Sequence, residues 1–299
     1  MDGFSPRDGA PLDYWFWKFH VGDLAFLVDI IVRRRTGRAE TRVSQWLRGT
    51  GRVVHAESTD WVAALDKVRV STTELRPRRS VGAAEDIFWD LTWTDGSVVV
   101  NPLLGPLAKV QPFDMSILNW PLTRFTWSVQ IGSERFDVND TPGAFYHYWG
   151  RRLMDRWVWL SATLFEDAPT RRLETVVDAR THLFGRIPNP VPLSFLWTAD
   201  GDRLDLVVST FNGLVRSRPV EGGIAIDAQR LGRPRHRVAA TWGSVQANDI
   251  GEGIVQTMHG DVSLDGFRAV RGTVGLETRG WPSHTEGRVP GVEPSVPVR

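Results

Sequence analysis

Period-two alternation runs through most of this 299-residue chain and constrains its fold more than any other feature. From Ile87 to Trp93, one face carries Ile87, Trp89, Leu91 and Trp93, and the other carries Phe88, Asp90 and Thr92. Phe125, Trp127, Val129 and Ile131 alternate with Thr126, Ser128 and Gln130. Further on, Trp157, Trp159, Ser161, Thr163 and Phe165 alternate with Val158, Leu160, Ala162 and Leu164. Segments 203–210, 237–242, 253–259 and 267–277 share the rhythm. Successive side chains of a strand point to opposite faces, so this pattern predicts half-buried strands. Turn signals separate them: Gly49-Thr50-Gly51, Asp200-Gly201, Asn212-Gly213, Glu221-Gly222-Gly223 and Asp265-Gly266. Leu24–Val32, rich in β-branched residues and interrupted only by Asp29, reads as a buried strand. Helical periodicity is confined to Asp60–Val68, where one short helix capped by Asp60 is expected.

Many short strands joined by tight turns predict an all-β protein of barrels or sandwiches. At roughly 100–200 residues per domain, the length suggests two such units. Pro-containing connectors near 101–112 and 140–142 place the boundary at 135–140. The expected division is 1–137, 138–281 and a flexible tail, 282–299, rich in Pro, Gly and Val.

Composition removes several function classes. Lys and Arg number 36 against 35 Asp and Glu, a balance that argues against a nucleic-acid partner or a polybasic membrane anchor. The absence of cysteine excludes disulfides, thiolate metal sites and cysteine catalysis. No apolar run approaches the ~18 residues of a transmembrane segment, and no secretory signal pattern is visible, so a cytoplasmic location is expected. The P-loop, the dinucleotide fingerprint, His-Glu-x-x-His and Gly-x-Ser-x-Gly are missing. The seven histidines are scattered without metal-ligand spacing, so neither a metal nor another cofactor is expected.

What remains unusual is tryptophan: 14 residues, as many as Phe, beside only 3 Tyr. The densest aromatic segment, Gly143-Ala144-Phe145-Tyr146-His147-Tyr148-Trp149-Gly150 with the following Trp157-Val158-Trp159, holds three of the Trp and two of the three Tyr. In a strand, Tyr146 and Tyr148 share one face and His147 and Trp149 the other. Trp157 and Trp159 share a face with Ser161. A face mixing indoles with hydroxyls suits a ligand-cavity wall, where aromatic rings supply area and polar groups fix orientation. The aliphatic face of Val158 and Leu160 suits a packing layer. The competing reading is that the indoles only fill a core.

This segment resembles the Gly-x-x-Tyr, His/Lys-x-Trp-Gly and Trp-x-Trp elements of the carotenoid 1,2-hydratase, tocopherol cyclase and AttH-like family. Tyr14-Trp15-Phe16-Trp17-Lys18-Phe19 resembles the aromatic start of that family's first domain. The resemblance implies two tandem lipocalin-like antiparallel β-barrel domains with little helix. It also implies an enzyme that binds an apolar polyene, prenyl or polyketide substrate and promotes cyclisation or hydration of a C=C bond. A pericyclic ring closure and a non-catalytic carrier of apolar ligands are the alternatives. Tyr146 stands where many members carry an acid, and Val158 where the hydratases carry a histidine.

On this reading His147 orients or relays a proton and Tyr146 donates a hydrogen bond. Trp149, Trp157 and Trp159, with Trp127, Trp15, Trp17 and Tyr148, bind the substrate and steady positive charge. The acid is sought at Asp90, beside Trp89 and Trp93, or at Asp114, in an apolar segment. Lys18 reads as a snorkelling surface residue. Arg33-Arg34-Arg35 and Arg151-Arg152 read as solvated faces, with contact to a phosphate or carboxylate head group as the alternative.

Overall fold

The computed structural model describes residues 4–7, 9–94, 113–201, 203–242 and 247–280. Among them every regular element is a strand, and all pairings are antiparallel. The chain begins with β1 (Leu12–Val21), β2 (Leu24–Arg33), β3 (Arg38–Leu47), β4 (Thr50–Ser58), β5 (Trp61–Ala64) and β6 (Lys67–Val70). It continues through β7 (Thr73–Arg76), β8 (Arg79–Ala84), β9 (Ile87–Thr94), β10 (Met115–Ile131) and β11 (Glu134–Gly150). These form one 11-stranded sheet in the order β4-β3-β2-β1-β11-β10-β9-β8-β7-β6-β5. The sheet curls on itself: Arg52 of β4 reaches Glu85 at 2.5 Å and Asp86 at 2.7 Å, on the β8–β9 turn.

The second half holds β12 (Arg156–Ala162), β13 (Arg171–Arg180), β14 (His182–Leu183), β15 (Ile187–Pro188), β16 (Leu193–Asp200), β17 (Arg203–Ser209) and β18 (Gly213–Val220). After these come β19 (Gly223–Arg230), β20 (Arg235–Thr241), β21 (Asn248–Asp249), β22 (Ile254–Thr257), β23 (Asp261–Leu264), β24 (Phe267–Arg268) and β25 (Val274–Arg279). A seven-stranded sheet, β17-β16-β13-β12-β25-β22-β21, faces a five-stranded one, β18-β19-β20-β23-β24. Residue 138 lies within β11; sheet membership changes between Gly150 and Arg156. Residues 282–299 and the connector 101–112 lie outside the described residues.

Three apolar cores follow from the alternation. Trp15, Trp17, Phe19, Phe26, Trp89, Trp93, Phe125 and Phe145 fill the interior of the first sheet. Val158, Leu160, Leu173, Leu196, Ile224, Ile226 and Val238 fill the space between the second and third. The third core lies where the outer face of the first sheet meets the seven-stranded sheet. There Tyr14, Phe16, Tyr146 and Tyr148 meet Trp157, Trp159, Val176, Phe195 and Trp197.

The expected helix over Asp60–Val68 is instead the β5–β6 hairpin, in which Trp61 pairs with Val70. Val68 and Val70 alternate into the first core, while Leu65 at the turn is 74% exposed. Asp60 does not cap; it forms a cross-strand pair with Arg69 at 2.8 Å. Ladder bonds to β7 and two buried valines outweigh the local helical preference. Leu24–Val32 forms β2 as read, and Asp200-Gly201 turns between β16 and β17.

Candidate functional site

The third core does not close completely. Between the two units lies a narrow cavity of about 40 Å³. Its walls are aromatic and aliphatic: Tyr14 and Phe16 of β1, Tyr148 of β11, Trp157 and Trp159 of β12, with Ile117, Val176 and Phe195. Met115 and Met154 also line it, and unbranched Met side chains adapt to the shape of a guest. One carboxyl, that of Glu277 on β25, stands on the wall.

Register explains how an acid comes to lie there. Val274 and Leu276 of β25 point into the core between the second and third sheets, so Gly275 and Glu277 point to the cavity side. Glu277 pairs with Trp159 and Gly275 with Ser161. Gly275 is required because a Cβ there would lie 2.5 Å from the Trp159 ring. The indole therefore lies directly against Gly275 of β25. The Trp157 Nε1–H donates to Glu277 Oε1 at 2.8 Å, and Gln256 Nε2 donates to Oε2 at 3.0 Å. Burial raises the Glu277 pKa, and these two donors only partly oppose it. Each oxygen accepts one bond, which leaves lone-pair capacity for a proton.

Two more buried carboxyls stand behind the rings. Glu174 of β13 accepts from Trp159 Nε1 at 2.9 Å, from Asn119 Nδ2 at 3.3 Å, and from the Tyr146 hydroxyl. Burial pushes it up to about 7, against the opposing pull of these donors and of Lys18. Asp29 of β2 accepts from the Tyr14 hydroxyl at 2.7 Å; burial likewise pushes it up to about 7. Both tyrosines are held neutral, well above their ordinary range, chiefly by burial and next by the neighbouring carboxyls. Tyr148 is held neutral for the same reasons, and it lines the cavity.

The expected site residues divide between the two faces of each strand. Trp157, Trp159 and Tyr148 line the cavity. Tyr146 is wholly buried behind it, stacked on Phe16 at 3.9 Å and 3.1 Å from Ser161 Oγ. His147 lies on the opposite face of β11, stacked on Trp15 at 4.6 Å, with its Nε2 3.0 Å from Asp13. Trp149 follows it there, under the Arg7 guanidinium at 4.7 Å. Trp15 and Trp17 fill the first core instead of facing the cavity. Residues i and i+2 of one strand share a face, so His147, Trp149, Trp15 and Trp17 cannot join Tyr14, Phe16 and Tyr148.

Other expectations need correction. Trp127 is 61% exposed: the register shifts between Phe125 and Trp127, where φ reaches 98°, and the irregularity turns its ring outward. Asp90 faces solvent and pairs with Arg79 at 3.1 Å, so it is not a shielded acid. Asp114 is wholly buried and is not among the residues that line the cavity. It accepts the His182 N–H at 2.9 Å and pairs with Arg152 at 3.2 Å. Lys18 is fully buried, not snorkelling. Its Nζ donates to the Ser161 and Thr273 carbonyls at 3.1 and 3.3 Å, bridging the two units, and lies 5.4 Å from the Trp159 ring. Burial lowers it to about 7, which the Glu174 charge opposes.

Glu277, Glu174 and Asp29 were not singled out by the sequence. The signal for them is a lone acid at a polar position inside an otherwise apolar strand, and solvent-facing positions give the same signal. Among the described residues no cluster of His, Cys, Asp and Glu is suited to a metal ion, and no helix is long and apolar enough to cross a membrane.

The fold is lipocalin-like. A protein assigned as an AttH from Nitrosomonas europaea matches over 93% of this chain and 95% of its own, with TM-score 0.65 and 12% identity. Kievitone hydratase from Nectria haematococca matches over 93% and 92%, with TM-score 0.60 and 9% identity. CghA matches over 90% and 87%, with TM-score 0.60 and 10% identity. The resemblance drawn from residues 143–159 therefore holds for the fold. No family model and no curated protein matches the sequence.

Proposed function

We propose that this chain is an enzyme that protonates a C=C bond of an apolar polyene, prenyl or polyketide substrate held in the inter-sheet cavity, leading to hydration or ring closure. The observation that carries this reading is Glu277. Among the described residues it is the one carboxyl on an otherwise apolar, ring-lined wall, and burial favours its protonated form. A proton donor to an alkene must be an acid shielded from water, and desolvation supplies that condition. The Glu277 O–H bond breaks as a new C–H bond forms, leaving a carboxylate and a carbocation. Tyr14, Phe16, Tyr148, Trp157 and Trp159 surround the space where that charge develops. Each ring face in contact with it contributes about 0.5–2 kcal/mol. Water or an internal hydroxyl then adds to the cation, and its surplus proton returns to Glu277. The name of kievitone hydratase states a water addition, and a shared fold at 9% identity is compatible with such chemistry here.

The test is product formation from candidate polyenes in deuterated solvent, comparing the natural chain with Glu277→Gln. Removal of a general acid lowers the rate by roughly 10²–10⁴-fold. The natural enzyme should place one solvent deuterium on carbon, with activity falling as pH rises through the raised Glu277 value. Undiminished turnover by Glu277→Gln, or product without deuterium, refutes the assignment. Tight binding without product at any pH makes the protein a carrier.

A further inference from the structure

A second cleft adjoins the cavity. It holds about 280 Å³ and, among the described residues, is lined by Arg33, Arg35, Arg151, Arg152 and Arg279 against two carboxylates, Asp155 and Glu252. Leu153 lines both spaces, so they share a wall. Glu252 is taken by Arg33, and Asp155 lies 3.4 Å from Arg152, so neither is given over to Arg35 or Arg279. Arg279 sits at the junction. Its guanidinium carbon lies 5.6 Å above the Trp157 ring of the cavity, and its Nη1 donates to the Met154 carbonyl at 2.9 Å. Neither contact neutralises its charge. Arg35 is exposed on the β2–β3 turn. Clustered guanidinium forks match the geometry of carboxylate and phosphate oxygens. Among the described residues the cavity wall itself offers no cation.

We propose that the substrate is an amphiphile, with its apolar chain in the inter-sheet cavity and an anionic head group, carboxylate or phosphate, in the arginine cleft. This rests on the reading of the cavity as the substrate site. Glu277 and Arg279 stand two residues apart on one face of β25, about 7 Å along the strand. Head-group binding thus holds the charged end of the molecule beside the acid.

The experiment is a binding titration at low salt with dodecanoate, dodecyl phosphate and dodecanol, using the natural chain, Arg35→Glu and Arg279→Gln, with inorganic phosphate as competitor. The two anionic ligands should bind at least tenfold more tightly than the alcohol. Salt should erode that advantage. Arg35→Glu should cut it at least fivefold and leave the alcohol unchanged, and Arg279→Gln should cut it in the same direction. Equal affinity for all three ligands overturns the proposal, as does an advantage untouched by both variants. Inorganic phosphate competing as strongly as dodecyl phosphate also overturns it, because the cleft then serves a free anion unconnected with the cavity. Turnover of neutral polyenes with no anionic preference fails this inference alone. Anionic preference without any product fails the catalytic reading alone.

Discussion

Glu174→Gln tests whether the buried acids are held protonated by the fold. Going from the ordinary carboxyl value of 4.5 to about 7, at about 1.4 kcal/mol per pH unit, ionising Glu174 in the folded protein costs about 3 kcal/mol. Because the folded value is raised, the stability attached to the proton is complete below about 4.5 and is lost as pH rises through about 7. Glutamine removes that loss and keeps the shape. Its carbonyl oxygen can take the bonds from Trp159 and Asn119. Its amide can donate to the Tyr146 oxygen, while the Tyr146 hydroxyl turns its proton toward Ser161, 3.1 Å away. Lys18 loses the carboxylate that favours its charge, so the comparison is cleanest near pH 8.5, where a lysine lowered to about 7 is mostly neutral. Urea unfolding should give nearly equal stabilities at pH 4, with the variant more stable by about 3 kcal/mol at pH 8.5. Parallel stability profiles over pH 4–9, or a variant weaker at pH 8.5, refute the reasoning.

Two further perturbations probe the same wall. Trp157→Phe deletes the N–H that stabilises ionised Glu277; a hydrogen bond to a charged group is worth about 1.5–3 kcal/mol. The alkaline limb of the pH–rate profile should therefore move upward by about one pH unit or more, and an unmoved or lowered limb contradicts the assignment. Gly275→Ala places a Cβ 2.5 Å from the Trp159 ring and 3.1 Å from Lys18 Nζ. It should cost about 1–3 kcal/mol in denaturant unfolding and reduce affinity for apolar ligands, because the indole is displaced toward the cavity. Unchanged ligand affinity would show that Trp159 does not shape the site.

The sequence by itself determined the strand content and the face each residue takes within a strand. Alternation and turn residues are local properties, and a strand displays them without reference to its neighbours. That is why β2, β9 and β12 are legible from residue order, as is the separation of Trp157 and Trp159 from Val158 and Leu160. The helix expected at Asp60–Val68 failed because ladder bonds to neighbouring strands are not a local property. What each face meets was decided only in three dimensions. Trp15 and Phe16 are adjacent aromatic residues, yet one belongs to a closed core and the other to a cavity wall, because the first sheet curls around one side of β1 and the seven-stranded sheet packs against the other. The irregularity before Trp127 reversed a ring that parity alone turns inward. Glu277 and Lys18 look like ordinary solvent-facing positions until a second sheet covers them. Burial by a partner distant in sequence, 143 residues away for Lys18 and Ser161, turns a surface charge into a perturbed one.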